Sequence, residues 1–139
     1  MATAVAPVSL TAQDLTQLRS ITDEWVRVTL IRDFDSLTRL LTDDVVFLPP
    51  DAPVVVGKTA VRAFLDAFPA VTAFTAELDV AEGRPDLTWA RGSFRMTVEP
   101  APGQSASMVG KWSATYRKQD DGAWLCASDT WNLDAPATT

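Results

Sequence analysis

The sequence contains no histidine. That absence removes Ser-His-Asp and Cys-His catalysis and the usual zinc ligand sets, so any proton transfer falls to carboxylates, Tyr, Lys or water. Cysteine is nearly absent as well. Cys126 stands alone, which excludes an internal disulfide and a thiolate metal cluster. Positive charge is scarce and scattered, 12 Lys and Arg against 18 Asp and Glu for a net charge of -6. An acidic chain without a basic cluster argues against nucleic acid and against an anionic membrane as partner. The opening residues 1–10 lack a positively charged start, and no apolar run is long enough for a signal peptide or a membrane span. A cytoplasmic location is the default expectation. No linker, internal repeat or low-complexity tract interrupts the chain, and 139 residues at 47% hydrophobic lead to the expectation of one domain, 1–139, with a sizeable core.

What is present begins with helices. Thr11-Ala-Gln-Asp14 resembles a capping box set one residue late, and Leu15, Leu18, Ile21, Trp25, Val28 and Thr29 recur at helical spacing, predicting a first helix that ends around Asp33. A shorter helix follows from Asp35 with Leu37, Leu40 and Leu41 on one face. Thr42-Asp-Asp44 breaks that pattern, and Val45–Leu48 reads as a short strand stopped by Pro49-Pro50. After a very short strand, Val54–Val56, Gly57 precedes a third helix from Lys58 to Phe68, with Thr59 as its expected cap and Pro69 as its stop. The remainder reads as strands only: Thr72–Ala81, Leu87–Val98, Ser105–Gln119 and Ala123–Leu133, separated by Gly- and Pro-bearing turns. Helices first and an antiparallel meander afterwards is an α+β layout, one curved sheet wrapped over helices.

The last hairpin carries the candidate chemistry. Strand periodicity puts Ala127, Asp129 and Trp131 on one face, so a carboxylate is aimed toward an aromatic interior. One reading makes Asp129 a general acid or base whose pKa is raised by apolar surroundings. The other turns it to solvent through a twist or bulge, or pairs it with Arg91 or Arg95 across the sheet. The alternation Met108, Gly110, Trp112, Ala114, Tyr116 marks the inward face of the preceding strand. Tyr116 either donates to a ligand oxygen or is a core tyrosine with a satisfied hydroxyl. Asn132 either orients a ligand or ends its strand through backbone hydrogen bonds. Arg91 and Arg95 fit the outer face, opposite Ala90, Gly92, Phe94, Met96 and Val98. Cys126 falls on the alternate face to Asp129 and reads as a packed residue. Asp43-Asp44 reads as a solvated turn, and neither a metal nor a cofactor is called for.

The order of elements, the stretch from Leu40 to Ala60, and the closing Asp121-Gly-Ala-Trp124 with Asp129-Thr-Trp-Asn132 resemble the NTF2-like superfamily, and within it the SnoaL-like and DUF4440-type proteins. The resemblance covers almost the whole chain. It implies a cone-shaped α+β barrel, three N-terminal helices packed on a curved, mostly antiparallel sheet, whose wide end opens into a pocket, often in a homodimer. It also implies that Trp25, Pro49 and Ala114 occupy the places of the phenol and two carboxyl groups of a ketosteroid isomerase site, which none of them can replace. By the same resemblance Phe64, Trp112, Tyr116 and Trp131 surround the pocket. The candidate site is therefore Asp129 and Tyr116 for catalysis, with Trp25, Phe64, Met108, Trp112, Trp131 and Asn132 for ligand binding. Two functions remain open: a cofactor-independent enzyme of the cyclase, isomerase, dehydratase or hydrolase type acting on a hydrophobic ring compound, or a non-catalytic ligand-binding or dimerising association domain.

Overall fold

The computed structural model describes residues 10–139, so most of the opening stretch considered above, residues 1–9, lies outside the described residues. Helix α1, Ala12–Leu30, begins at a capping box in regular register: Thr11 Oγ1 accepts from the Asp14 N–H at 3.0 Å, and Asp14 Oδ2 accepts from the Thr11 N–H at 3.0 Å. It stops earlier than expected, because Arg32 adopts φ +53° and the Asp33 N–H turns back to the Val28 carbonyl. A single turn of helix, α2 (Phe34–Thr38), leads into β1, Leu41–Leu48. After β2 (Val55–Val56), α3 runs from Lys58 to Ala67. Its N-cap is Gly57 at φ +91°, not Thr59, and no side chain caps it. The Gly57 N–H is spent instead on the Val45 carbonyl, tying the start of α3 to β1.

Four long strands follow: β3 (Ala70–Gly83), β4 (Leu87–Ala101), β5 (Gln104–Lys118) and β6 (Trp124–Leu133). With β1 and β2 they make one six-stranded sheet in the order β2-β1-β6-β5-β4-β3, antiparallel except where β1 lies parallel to β6. Irregular pairing between Val71 and Ala73, between Leu78 and Val80 and at Thr115–Tyr116 bends these strands, which curls the sheet. Helix α1 lies across β3 and α3 against β1, so the helices occupy the concave side. The α+β layout with helices on a curved, mostly antiparallel sheet is thus observed.

The core is packed where helices meet sheet, with Leu18, Val28, Leu37, Leu41, Val45, Phe47, Val61 and Cys126 almost fully buried. One carboxylate is buried with them. Asp14, beyond its capping role, accepts a hydrogen bond from the Trp124 indole at 3.2 Å and receives Lys118 Nζ at 3.5 Å. The start of α1 is therefore pinned to the start of β6. β1 is longer than its sequence suggests: Asp43 and Asp44 lie in an irregular stretch where β1 spends five steps, Leu41 to Val46, against two in β6, Cys126 to Ser128. Both aspartates are exposed; Asp44 pairs with Arg117 at 2.9 Å and Asp43 with Lys58 at 3.4 Å. Among the described residues no helix is long and apolar enough to cross a membrane.

Candidate active site

The sheet and helices do not meet everywhere. Between α1, α3 and the concave face a cavity of about 300 Å³ remains, bounded by residues of α1, α2, α3, β1, β3, β4, β5 and β6 and by the Pro49–Ala52 loop. Its volume falls at the small end of ligand pockets, about 300–1,000 Å³. The wall is overwhelmingly apolar and aromatic.

Strand β6 occupies the centre of this wall, between β1 and β5, and Asp129 sits in register with Phe47 on one side and Ala114 on the other. Residues in register share a face, so the carboxyl projects with Phe47 and Ala114 into the cavity. Neither Arg91 nor Arg95 reaches it, both being exposed on the outer face. Asp129 makes no hydrogen bond or ion pair with any described residue. It is partly accessible, as a residue bordering a cavity must be, yet burial alone pushes its carboxyl up to about 8.

Tyr116 lines the cavity two residues beyond Ala114 on β5, almost fully buried, and burial, with the nearby Cys126 and Asp129, raises its hydroxyl well above the usual phenol range against a hydrogen bond with Thr22. Tyr116 is a hydrogen-bond donor at any ordinary pH. Trp25, Phe64, Met108, Trp112 and Trp131 all line the same cavity, as do Pro49 and Ala114. Asn132 does not. It is exposed and pairs with Lys111, because neighbours along a strand face opposite ways and Trp131 already faces inward.

The site holds several residues that sequence reasoning missed. Phe47 is the hub of its aromatic cluster, with ring centres 5.9 Å from Trp25, 6.1 Å from Phe64 and 5.8 Å from Trp131. The alternation Val45, Phe47 was the available signal. Thr22 and Thr29 supply polar wall atoms and fall on the same helical stripe as Leu18 and Trp25. Cys126 also differs from expectation. A bulge leaves Ala127 without a partner, so Tyr116 pairs with Cys126 while Thr115 pairs with Ser128. Cys126 and Asp129 consequently share the inward face, and burial raises the Cys126 thiol well above its usual range. Among the described residues no group of three His, Cys, Asp or Glu side chains could hold a metal ion.

An unpartnered carboxyl, a buried phenol and an aromatic wall can bind an apolar molecule and exchange a proton with it. No curated protein matches the sequence. Solved structures do match the fold. A ketosteroid isomerase-like protein from Erwinia carotovora atroseptica superposes with TM-score 0.81 at 18% identity, over 91% of this chain and 100% of that one. A conserved protein from Planctomyces limnophilus gives 0.79 at 24% identity, over 92% and 98%. An NTF2-like protein with a cystatin-like fold from Novosphingobium aromaticivorans gives 0.67 at 17%, over 89% and 84%. The model of the SnoaL-like domain matches residues 22–126, from the cavity-lining Thr22 on α1 to Cys126 on β6, and the chain belongs to the SnoaL-like family, with the NTF2-like fold.

Proposed function

We propose that this protein is a small cofactor-independent enzyme of the cyclase, isomerase, dehydratase or hydrolase type, which acts on a hydrophobic ring compound by acid–base chemistry at Asp129. The observation that carries this reading is the Asp129 carboxyl itself: no partner among the described residues, set in an apolar cavity wall and pushed up to about 8. A group titrating there exists in both forms close to neutral pH, which is what a general acid or base requires. Tyr116 is the group that holds a ligand oxygen, and Trp25, Phe64, Met108, Trp112 and Trp131 receive the ring. The alternative of a non-catalytic association domain calls for a closed or carboxylate-free cavity, so an open one bordered by Asp129 favours the enzyme. A steroid-isomerase mechanism is not part of this reading, because Trp25, Pro49 and Ala114 leave Asp129 as the lone carboxyl of the cavity wall.

The test is proton exchange at carbon. Ring ketones incubated with the protein in deuterium oxide should lose their α-proton signal by NMR faster than in buffer for at least one compound. Asp129→Asn should bind that compound yet slow its exchange by about 10²–10⁴-fold. Equal rates for the two proteins would sink the enzyme reading. We also propose that the chain forms a homodimer through the outer face of its sheet, a matter for light scattering at micromolar concentration.

A further inference from the structure

The charge inventory of the cavity is one-sided. None of the 12 Lys and Arg residues lines it, and Asp129 is its lone carboxylic acid. The groups that face Asp129 and titrate are Tyr116 from β5 and Cys126 from its own strand; α1, α3, β1, β3 and β4 contribute none to the wall. Arg32 adjoins the wall from outside, but its guanidinium is committed: it lies 4.9 Å over the Phe34 ring and donates to the Phe68 and Asp66 carbonyls at 3.0 and 3.2 Å. An anionic ligand entering this cavity would find no positive group to receive it.

The polar atoms of the wall are of both kinds, the Tyr116 hydroxyl and the Trp112 indole N–H, unpartnered among the described residues, being donors without charge. Thr22 donates its hydroxyl to the Leu18 carbonyl and Thr29 donates its own to the Trp25 carbonyl, so both offer acceptor lone pairs, those of Thr22 lying beside the Tyr116 hydroxyl. Around Asp129 the aromatic rings are close: Phe47 is its register neighbour on β1, Trp131 is two residues along β6 on the same face, and Trp25 stacks on Phe47. Aromatic rings and an uncompensated carboxyl attract the same kind of guest. At the rim, exposed Asp51 stands between the wall residues Pro50 and Ala52, and the net charge of -6 draws cations toward the protein.

We propose that the cavity selects a lipophilic organic cation: a ring-bearing amine whose protonated nitrogen docks on Asp129 within the aromatic wall. The proposal rests on the reading of the cavity as a ligand site and specifies the charge class of what enters it. A protonated amine brings the positive charge that the protein withholds from Asp129, and its N–H donates to that carboxylate.

Three naphthalene probes of matched shape separate the possibilities by calorimetry: a dimethylaminomethyl compound, its neutral isobutyl isostere and the acetic acid. Near pH 8 the ammonium probe should bind at least about tenfold more tightly than the neutral one, and the carboxylate should not bind detectably. Lowering the pH toward 6 should weaken the ammonium probe by up to about tenfold per unit, since Asp129 must give up a proton to receive it, while leaving the neutral probe unchanged. Asp129→Asn, checked for folding by circular dichroism, should bring ammonium affinity down to the neutral level. If the neutral probe binds as tightly as the ammonium near pH 8, or the Asn variant keeps the preference, the cation proposal is overturned while the ligand site stands. Failure of all three probes to bind folded protein overturns both.

Discussion

Asp129 is held in a place that favours its neutral form, and this has a sign in stability. Its folded pKa of about 8 lies above the ordinary 3.8, so the folded state binds the proton more tightly than the unfolded chain. Below about pH 4 the carboxyl is neutral in both states and costs nothing. As pH rises toward 8 the unfolded chain ionises freely while the folded one resists, and the penalty grows until it levels off above the folded value. Asp129→Asn, neutral at every pH, should therefore match the wild type in urea denaturation near pH 4 and become progressively more stable than it up to about pH 8. Parallel stability curves across that range would mean that the carboxyl is not desolvated. The position of Asp129 was legible in the alternation of its strand, because period two is a local property. The outer-face reading of Arg91 and Arg95 was legible in the same way, whereas the absence of any other partner among the described residues was not, because that depends on every element packed around the cavity. Asn132 was misread against the same period, as two consecutive residues cannot both line one wall.

At the scale of elements, the order of helices and strands followed from punctuation that is local: Pro49-Pro50, Gly57, Pro69 and the Asp120-Asp-Gly122 turn. The bulge at Ala127 was not legible, because an extra residue in one strand exists only relative to its neighbour, and it moves Cys126 to the face of Asp129. The same holds for β1, whose irregular Thr42–Val45 stretch reads as a break until β6 is laid beside it. The Asp121-Gly-Ala-Trp124 signature gains a physical reason. Its turn, with Gly122 at φ +88° and the Ala123 N–H on Asp121 Oδ1, delivers the Trp124 indole to Asp14 at the head of α1. Hydrogen bonds, first from the Thr11 backbone, then from Trp124, and the charge of Lys118 hold the Asp14 carboxyl below its ordinary range, so its stabilisation is present above about pH 4 and fades as pH falls through the folded value. Asp14→Ala removes a capping interaction of ~1 kcal/mol and orphans a buried indole N–H at a further ~1–3 kcal/mol. Chemical denaturation should show a loss of about 2–4 kcal/mol for Asp14→Ala, and a smaller one when Trp124→Phe removes the donor at the same time. Additive losses would show that the two residues are not coupled.

For the whole molecule, the curled sheet divides its residues between two surfaces, and the outer one is left without helices. Along β4 and β5 that surface carries Leu87, Trp89 and Val109, each more than a third exposed, beside the hydroxyl groups of Ser113, Thr115 and Ser128. Trp89 is anchored rather than loose, its indole donating to Ser113 Oγ. An exposed aromatic residue held in one orientation is suited to the centre of an interface, where Trp is enriched among the residues that dominate binding. Arg91, Arg95, Lys111 and Arg117 are exposed on the same two strands, so a two-fold partner must approach with these rows offset from one another. A stable homodimer would need to cover about 800 Å² on each copy. Light scattering at micromolar concentration should give twice the 15.1 kDa chain mass for the wild type. Trp89→Glu, which places a carboxylate at the centre of that face, should shift the mass toward a monomer, while leaving the cavity on the other side of the sheet able to bind its probe. A wild-type protein of monomer mass, or a variant that stays dimeric, would exclude this face as the interface.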